Sequence, residues 1–470
     1  MGTINSAFSI MSGALDADQS ALNIVANNVA NANTPGYTRE TPNWQENSPI
    51  AIGGVSNGTG VTETGATSVR DRVLTERLDQ QQQLASASGS RLTALNTVQA
   101  LFTPDSGSSS STAGDIGSDL TSFFSSFSSL EADPSNDSSR EEVLSSATTL
   151  ACDISNAAAS LNQQRSALDQ EAVGVTSQVN ALTGAIAQLN QQIQSTSPDA
   201  DAGTLEDQRQ QDLSQLSQLV GINQITTENN GLSITTTAGQ TLVSEGTSYQ
   251  MSTGMVDGVS HFFVGTTDIT TQLASGGGQL GGYLTARDQD IPGVLSSLDQ
   301  LAYSVSTKVN TLNNAGTDLA GDNGKAGDIF SQSTQVAGSA STMTVVMTDP
   351  NHIAAAGLGQ GTGDNSNATA MANLAKQSIV NGQTPTDFYS NFVSTLGATV
   401  SGVQTENTAQ NASVTQLQTQ NNALSQVNLN DEASSMTTFE RSYQAASQVF
   451  SMLDTIMQSA LNLGQQTTVT

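Results

Sequence analysis

The chain has 470 residues, enough for two to four domains. Apolar residues make up 36% and aromatic residues 4% of it, so aromatic cores must be small and long helices with thin β modules are expected. A net charge of −29 with three lysines repels phosphate, which argues against nucleic acid and against an anionic membrane face as partners.

The first element is a helix. Ile4, Phe8, Met11, Leu15, Leu22, Val25 and Val29 fall on alternating steps of four and three, broken only by Asp18. That spacing places them on one stripe, the stripe a partner helix covers in a coiled coil. The segment lacks a basic start and a continuous apolar run, so it does not read as a secretory signal. Nowhere does the chain approach the roughly 20 apolar residues of a membrane span. Asn27, Asn28, Asn31 and Asn33 weaken the last turns, and Pro35 pushes Thr34 out of helical geometry. Thr34-Pro35-Gly36-Tyr37 then carries the residue pattern of a type II turn.

Residues 38–68 are rich in Gly, Thr and Asn and read as extended structure, followed by a helix from Val69 to about Phe102. A Ser/Gly linker is expected over 103–118. Between Leu144 and Ile193 the three-four rhythm persists for some seven heptads, interrupted at Arg165, and predicts a helix about 75 Å long. Ser197-Pro198 ends it. Thr204 with Asp207 resembles a capping start, and Leu205, Leu213, Leu216 and Leu219 run to Gly221, giving a helical hairpin with its tip near 195–204.

From 222 to about 275 the apolar period falls to two, with Ile222, Ile225, Leu232, Ile234, Leu242, Phe262 and Val264 in Thr-rich runs. This predicts a small antiparallel β module. A helix returns over 279–313. Residues 315–365 are Gly/Asp/Asn-rich, with one expected strand at Met343–Met347. The last helical region runs from about 366 to 463, interrupted near Gly382 and Pro385. It closes on Met436, Phe439, Tyr443, Ala446, Phe450, Leu453, Met457 and Ala460, the same seven-residue rhythm as the N-terminus.

The expected fold is therefore mainly α with a β insertion. Residues 1–34 and 428–470 pair as a coiled-coil-like terminal assembly domain. Residues 35–221, 279–314 and 366–427 form a helical-bundle body with a short extended segment near 38–68. Residues 222–278 and 315–365 form a β-rich outer module. A two-helix hairpin projecting alone is marginal, so the terminal pair is expected to order against neighbouring subunits.

No catalytic constellation emerges, and neither a cofactor nor a metal is expected. Gly276, Gly278 and Gly281 match a dinucleotide fingerprint, but a Thr-rich segment precedes them and no βα unit follows. Asp322-Asn323-Gly324 with Asp328 lacks the twelve-residue spacing and closing Glu of a calcium loop and reads as a turn. His261 and His352 are far apart and neither is expected to be a ligand. Cys152, the sole cysteine, is expected to be buried in a helix.

Two stretches carry a family resemblance. Asn27–Arg39, Asn-Asn-Val-Ala-Asn-Ala-Asn-Thr-Pro-Gly-Tyr-Thr-Arg, resembles the N-terminal signature of bacterial flagellar rod, hook and hook-associated proteins. Residues 428–463, with Tyr443-Gln444-Ala445-Ala446, resemble the matching C-terminal motif. In the middle, residues 50–82, Phe123–Arg165 with Asp133-Pro134-Ser135, Leu205–Gly221 and Gly277–Asp288 followed by Leu295–Leu312 resemble the hook-associated proteins of the hook–filament junction.

This resemblance implies a structural protein and not an enzyme, exported unfolded through the flagellar type III apparatus. It further implies a ring of identical subunits, with hook protein below, hook-associated protein 3 above, and an export chaperone on the C-terminal helix near Val427–Leu463. Another axial rod or hook protein, and outside that class a secreted coiled-coil adhesin, are the alternatives.

Overall fold

The structure, a computed structural model, describes residues 2–52, 54–103, 115–197 and 201–466. Most of the expected 103–118 linker lies outside the described residues.

The terminal helices are α1 (Gly2–Asn31) and α12 (Leu429–Gln466). After α1, β1 (Glu40–Glu46) and β4 (Val61–Ser68) pair as an antiparallel ribbon, with the small hairpin of β2 (Ile50–Ile52) and β3 (Val55–Asn57) at its far end. This ribbon lies on the terminal helices. Gly13 of α1 approaches it so closely that an added Cβ would stand 3.0 Å from the Val61 carbonyl, and one on Gly60 would stand 3.4 Å from Ile10. The 38–68 segment, expected as part of the body, thus packs on the termini and meets the body only near its two ends. Its Gly-, Thr- and Asn-rich composition indicated extended structure but not which surface it covers. The terminal pair is consequently a three-part layer and not a hairpin projecting alone.

The body is built on α4 (Asp137–Thr196), a single helix of 60 residues, about 90 Å long. Its N-terminal half belongs to one hydrophobic core and its C-terminal half to another. The first core gathers the end of α2 (Arg72–Ala100), α3 (Ile116–Ala132), α8 (Ile291–Ala315) and the start of α11 (Pro385–Ser425), with Phe123, Phe127 and Phe330 fully buried at its centre.

The second core joins α4 to α5 (Thr204–Leu219) and to two small antiparallel sheets. One runs in the order β5 (Ile222–Thr226), β6 (Leu232–Thr236), β7 (Thr241–Ser244), β8 (Thr247–Ser248). The other orders β11 (Thr267–Asp268), β10 (Val259–Val264), β9 (Met251–Val256). Ile222, Leu232, Ile234, Leu242 and Phe262 point inward as their spacing predicts, whereas Ile225 is exposed.

Residues 315–365 depart from expectation. Ile329, Phe330, Ala340, Met343, Ile353 and Ala355 are buried in the first core, not beside the sheets of the second. In place of a strand at 343–347 there is an isolated bridge between Phe330 and Val345. Gly- and Asn-rich composition marked irregular backbone correctly, but it carries no information about which core the scattered apolar residues enter.

The expected 279–313 helix is observed as α7 (Gly278–Thr285) continuing into α8 through one π turn at Ala286–Asp290. Within that turn the buried Arg287 guanidinium binds Asp169, Asp288 and the Ser260 carbonyl, and Asp290 accepts two 2.8 Å bonds from Arg91 of α2. The glycine run before it serves close packing. A Cβ on Gly278 would fall 2.5 Å from the Val220 backbone, and one on Gly282 would fall 2.3 Å from the Ala87 carbonyl of α2. Cys152 is exposed on α4, against expectation. Its neighbours Ala151 and Ile154 take the core-facing positions.

Candidate assembly interface

Two contacts set the direction of the terminal pair. Phe8 meets Phe450 edge to face at 5.1 Å between ring centroids, and Asn28 meets Glu432 at 3.1 Å. As the α1 number rises the α12 number falls, so the helices are antiparallel. The β ribbon touches both, with Trp44 of β1 edge-on to Phe439 of α12 at 5.7 Å. Each aromatic pair of this kind contributes roughly 1 kcal/mol beyond its buried area.

On α1, Ile4, Phe8, Met11, Leu15 and Leu22 are half-buried, Val25 is buried, and Val29 is 40% exposed. Asp18, the break in the stripe, is itself buried, as are its neighbours Ala17 and Ala21. On α12, Met436, Phe439, Leu453 and Met457 are half-buried and Ala446 is buried, while Tyr443 and Phe450 are just exposed. Ala460 is exposed.

A second apolar stripe runs beside this one and was not read from the sequence. Val449, Met452 and Ile456 also step by three and four, and they remain 39%, 57% and 53% exposed. The signal was present as the doublets Val449-Phe450, Met452-Leu453 and Ile456-Met457. A doublet in each turn widens an apolar face beyond what one partner helix covers.

The turn after α1 is tied down from below. Tyr37 donates a backbone hydrogen bond to the Thr34 carbonyl at 3.2 Å, and Gly36 takes φ +80°, the left-handed conformation that the third position of a type II turn requires. Asn33, Thr34, Pro35 and Gly36 are exposed, and Asn31 is half-buried. The structural work falls on flanking residues. Asn28, almost fully buried, accepts from the Tyr37 hydroxyl and the Glu40 amide through Oδ1 and donates to the Glu40 carbonyl and to Glu432 through Nδ2. Glu432 has no exposed surface and receives Arg39 Nε at 2.6 Å. Burial, followed by the charges of Glu40, Asp207 and Glu432, pushes the Tyr37 phenol well above its ordinary pKa, which keeps its proton available for Asn28.

The two strands that leave the terminal layer cross the first turn of α5. Thr38 gives both its amide and its hydroxyl to Asp207, at 2.9 and 2.6 Å. Arg70 binds Glu206 at 2.6 Å and also Asp207, and Ser68 gives its amide and hydroxyl to Asp201. Asp207 is therefore a docking residue and not part of a helix cap. Gly203 precedes α5 without a side-chain cap, and a Cβ there would stand 2.6 Å from Glu40 Oε1. The start of α5 thus meets the terminal layer. Between the turn, α5 and the end of α11 lies a polar cavity of about 650 Å³, lined by Asn33, Tyr37, Gln210, Gln215, Gln418 and Asn422.

These features have counterparts in known proteins. Residues 9–38 match the family model of flagella basal body rod proteins, and residues 419–463 match that of the flagellar basal body rod FlgEFG protein C-terminal region. The body separates the chain from rods and hooks, because residues 105–330 match the helical domain of flagellar hook-associated protein FlgK. Flagellar hook-associated protein 1 of Bacillus subtilis is 28% identical, the alignment covering 96% of both chains. The chain belongs to the flagellar hook-associated protein 1 family.

The Escherichia coli member of the family is 26% identical over 96% of this chain and 98% of its own. The fold agrees with the solved flagellar hook junction protein FlgK from Burkholderia pseudomallei, at a TM-score of 0.65 and 17% identity, covering 73% of this chain and 99% of that one. As a member of the hook-associated protein 1 family, the chain is an axial structural component of the flagellum.

Proposed function

We propose that this protein is a structural subunit of the junction between hook and filament, and that it joins its own copies through the terminal layer. The observation that carries this reading is the stripe of Val449, Met452 and Ile456, left uncovered on a helix whose other apolar face is already paired with α1. Apolar residues at helical spacing on an open face are what a further helix buries in a bundle. In this reading Ile4, Phe8, Met11, Leu15, Leu22, Val25 and Val29 pair within the subunit with Met436, Phe439, Tyr443, Ala446, Phe450, Leu453 and Met457. The doublet partners on α12 face the next subunit.

The family supports the finer partners. Hook protein lies on one side, hook-associated protein 3 on the other, and before assembly an export chaperone covers α12 while the chain travels unfolded through the type III apparatus to the extracellular flagellum. Nothing in this reading calls for catalysis or a cofactor. Residues 1–34, 38–68 and 428–466 act as the assembly layer, and the two-core body carried by α4 forms the outer part of the junction.

The test is complementation of a deletion strain with the triple variant Val449→Asp, Met452→Asp, Ile456→Asp. These side chains are exposed, so the subunit is expected to fold and be exported. Cells should carry intact hooks without filaments and shed filament protein into the medium. Filaments of ordinary number and length would overturn the proposal.

A further inference from the structure

Outside the terminal layer, two short segments of the 315–365 region bring together three side chains that the sequence gives no reason to associate. His352 follows Asp318 by 34 positions, yet His352 Nδ1 lies 2.7 Å from Asp318 Oδ2 and 4.0 Å from Asp322 Oδ2. The three donor atoms lie within 4.8 Å of one another. We propose that Asp318, Asp322 and His352 form a binding site for one divalent transition-metal ion.

Hydrogen bonds hold each segment in place and tie one to the other. The Asp322 amide donates to Asp318 Oδ1 at 2.7 Å, and the Leu319 amide reaches the Asn351 carbonyl at 3.0 Å. Thr317 bridges to Asn323 and to Ala356. Asp349 accepts from the Asn351 amide at 2.9 Å, fixing the short turn that ends in His352. The donors are thus presented by backbone whose geometry is already set.

The carboxylates gathered at the site favour a cation there. The Asp318 side chain is completely enclosed. A buried carboxylate needs a cation or a full set of donors. Arg140 is near enough to act on it by charge, but its guanidinium spends its donors on carbonyls of Pro134, Pro350 and Ile353. Asp322 has a side chain 57% exposed, with no hydrogen bond among the described residues, so one side of the site is open to water.

The donor set selects the ion. Two ligands about 2.0–2.1 Å from a tetrahedral metal stand about 3.3 Å apart. The observed 2.7 and 4.0 Å separations from His352 straddle that value, and all three donors lie within 4.8 Å of one another. One imidazole nitrogen and two carboxylate oxygens suit Zn²⁺, Co²⁺ or Ni²⁺, with water filling the open positions. Ca²⁺, which takes six to eight oxygens, is poorly served. The bound ion would fasten the 318–322 loop to the 350–352 turn and so close the segment whose Ile329, Phe330 and Ile353 cap the first core.

The test uses the untagged full chain, titrated with Co²⁺ while its visible absorption is followed, and with Zn²⁺ and Ca²⁺ while thermal unfolding is followed. One equivalent of Co²⁺ is expected to bind, Zn²⁺ to raise the unfolding temperature, and Ca²⁺ to do neither. Asp322→Asn, at an exposed position that tolerates the change, and His352→Gln should each weaken Co²⁺ binding at least roughly tenfold. His261→Gln removes the other His–Asp pair, at 2.6 Å on the β module, and should change nothing. Absence of saturable Co²⁺ binding overturns the proposal. So does binding that survives Asp322→Asn, or binding that His261→Gln abolishes.

Discussion

Asn28 and Glu432 stand 404 positions apart in the chain and meet, both buried, at 3.1 Å. Asn28 exhausts both faces of its amide on Glu40, Tyr37 and Glu432, and Glu432 also neutralises Arg39. This one contact joins the end of the first helix, the turn that follows it and the start of the last helix.

Glu432→Ala leaves Arg39 Nε without its acceptor and Asn28 Nδ2 with the Glu40 carbonyl alone. Hydrogen bonds to a charged group contribute about 1.5–3 kcal/mol each, and Arg39 is partly exposed, so a loss of about 2 kcal/mol confined to the terminal layer is expected. Amide exchange resolved by segment checks this. Protection should fall in α1 and α12 while α4 is unchanged.

Arg70→Met tests how the terminal layer is anchored to the body. Glu206 and Asp207 are nearly buried and would lose their shared cation, with only the more exposed Arg72 left, at 3.3 Å from Glu206. Removing one partner of such a group costs about 3–5 kcal/mol. The expected result is faster proteolytic cleavage between residues 31 and 72, with little change in the first core.

Asp79 gives the protein a pH dependence of unusual sign. Burial raises its pKa to about 6, against the lowering effect of Gln210 and Gln224. Between about pH 4 and pH 6 the folded state therefore holds a proton that the unfolded chain has released, and stability falls as pH rises through that window. Above it the charged Asp79 costs the fold about 2–3 kcal/mol. Both glutamine amides donate to the same oxygen, Oδ2, at 2.9 Å, so the oxygen of an asparagine can accept both. Asp79→Asn should raise the unfolding temperature at pH 8 and leave it unchanged at pH 4.

Two glycines predict opposite outcomes. Gly282 faces α2 at a distance that leaves no room for a Cβ, so Gly282→Ala must separate α2 from α7 at a cost of about 1–3 kcal/mol. Gly174 lies inside α4 with open space around it, and Gly174→Ala should stabilise by about 1 kcal/mol through helix propensity. Chemical denaturation of the two variants measures the contrast.

What the sequence made legible follows from the range of the interactions. The long helices, the terminal stripes and the Thr34–Tyr37 turn are local in origin, and residues three or four apart encode them. The placement of the 38–68 ribbon on the terminal helices was not legible, because close approach at Gly13 and Gly60 depends on partners distant in the chain. The same holds for Asp207, which looked like a cap and proved to hold Thr38. His352 and Asp318 illustrate the limit most clearly, since no local pattern links them. The open stripe on α12 was available in the doublets but was masked by the regularity of the stripe beside it.

The antiparallel closure of α1 on α12 also has a consequence in time. A chain that emerges N-terminus first presents Asn28, Tyr37 and Arg39 early and Glu432 only when nearly everything else has appeared. The terminal layer therefore cannot be completed by a product truncated before Glu432, in which Arg39 Nε would lack its carboxylate and Asn28 one of its partners. Of the residues joined in this network, the one that completes it is the last to be made.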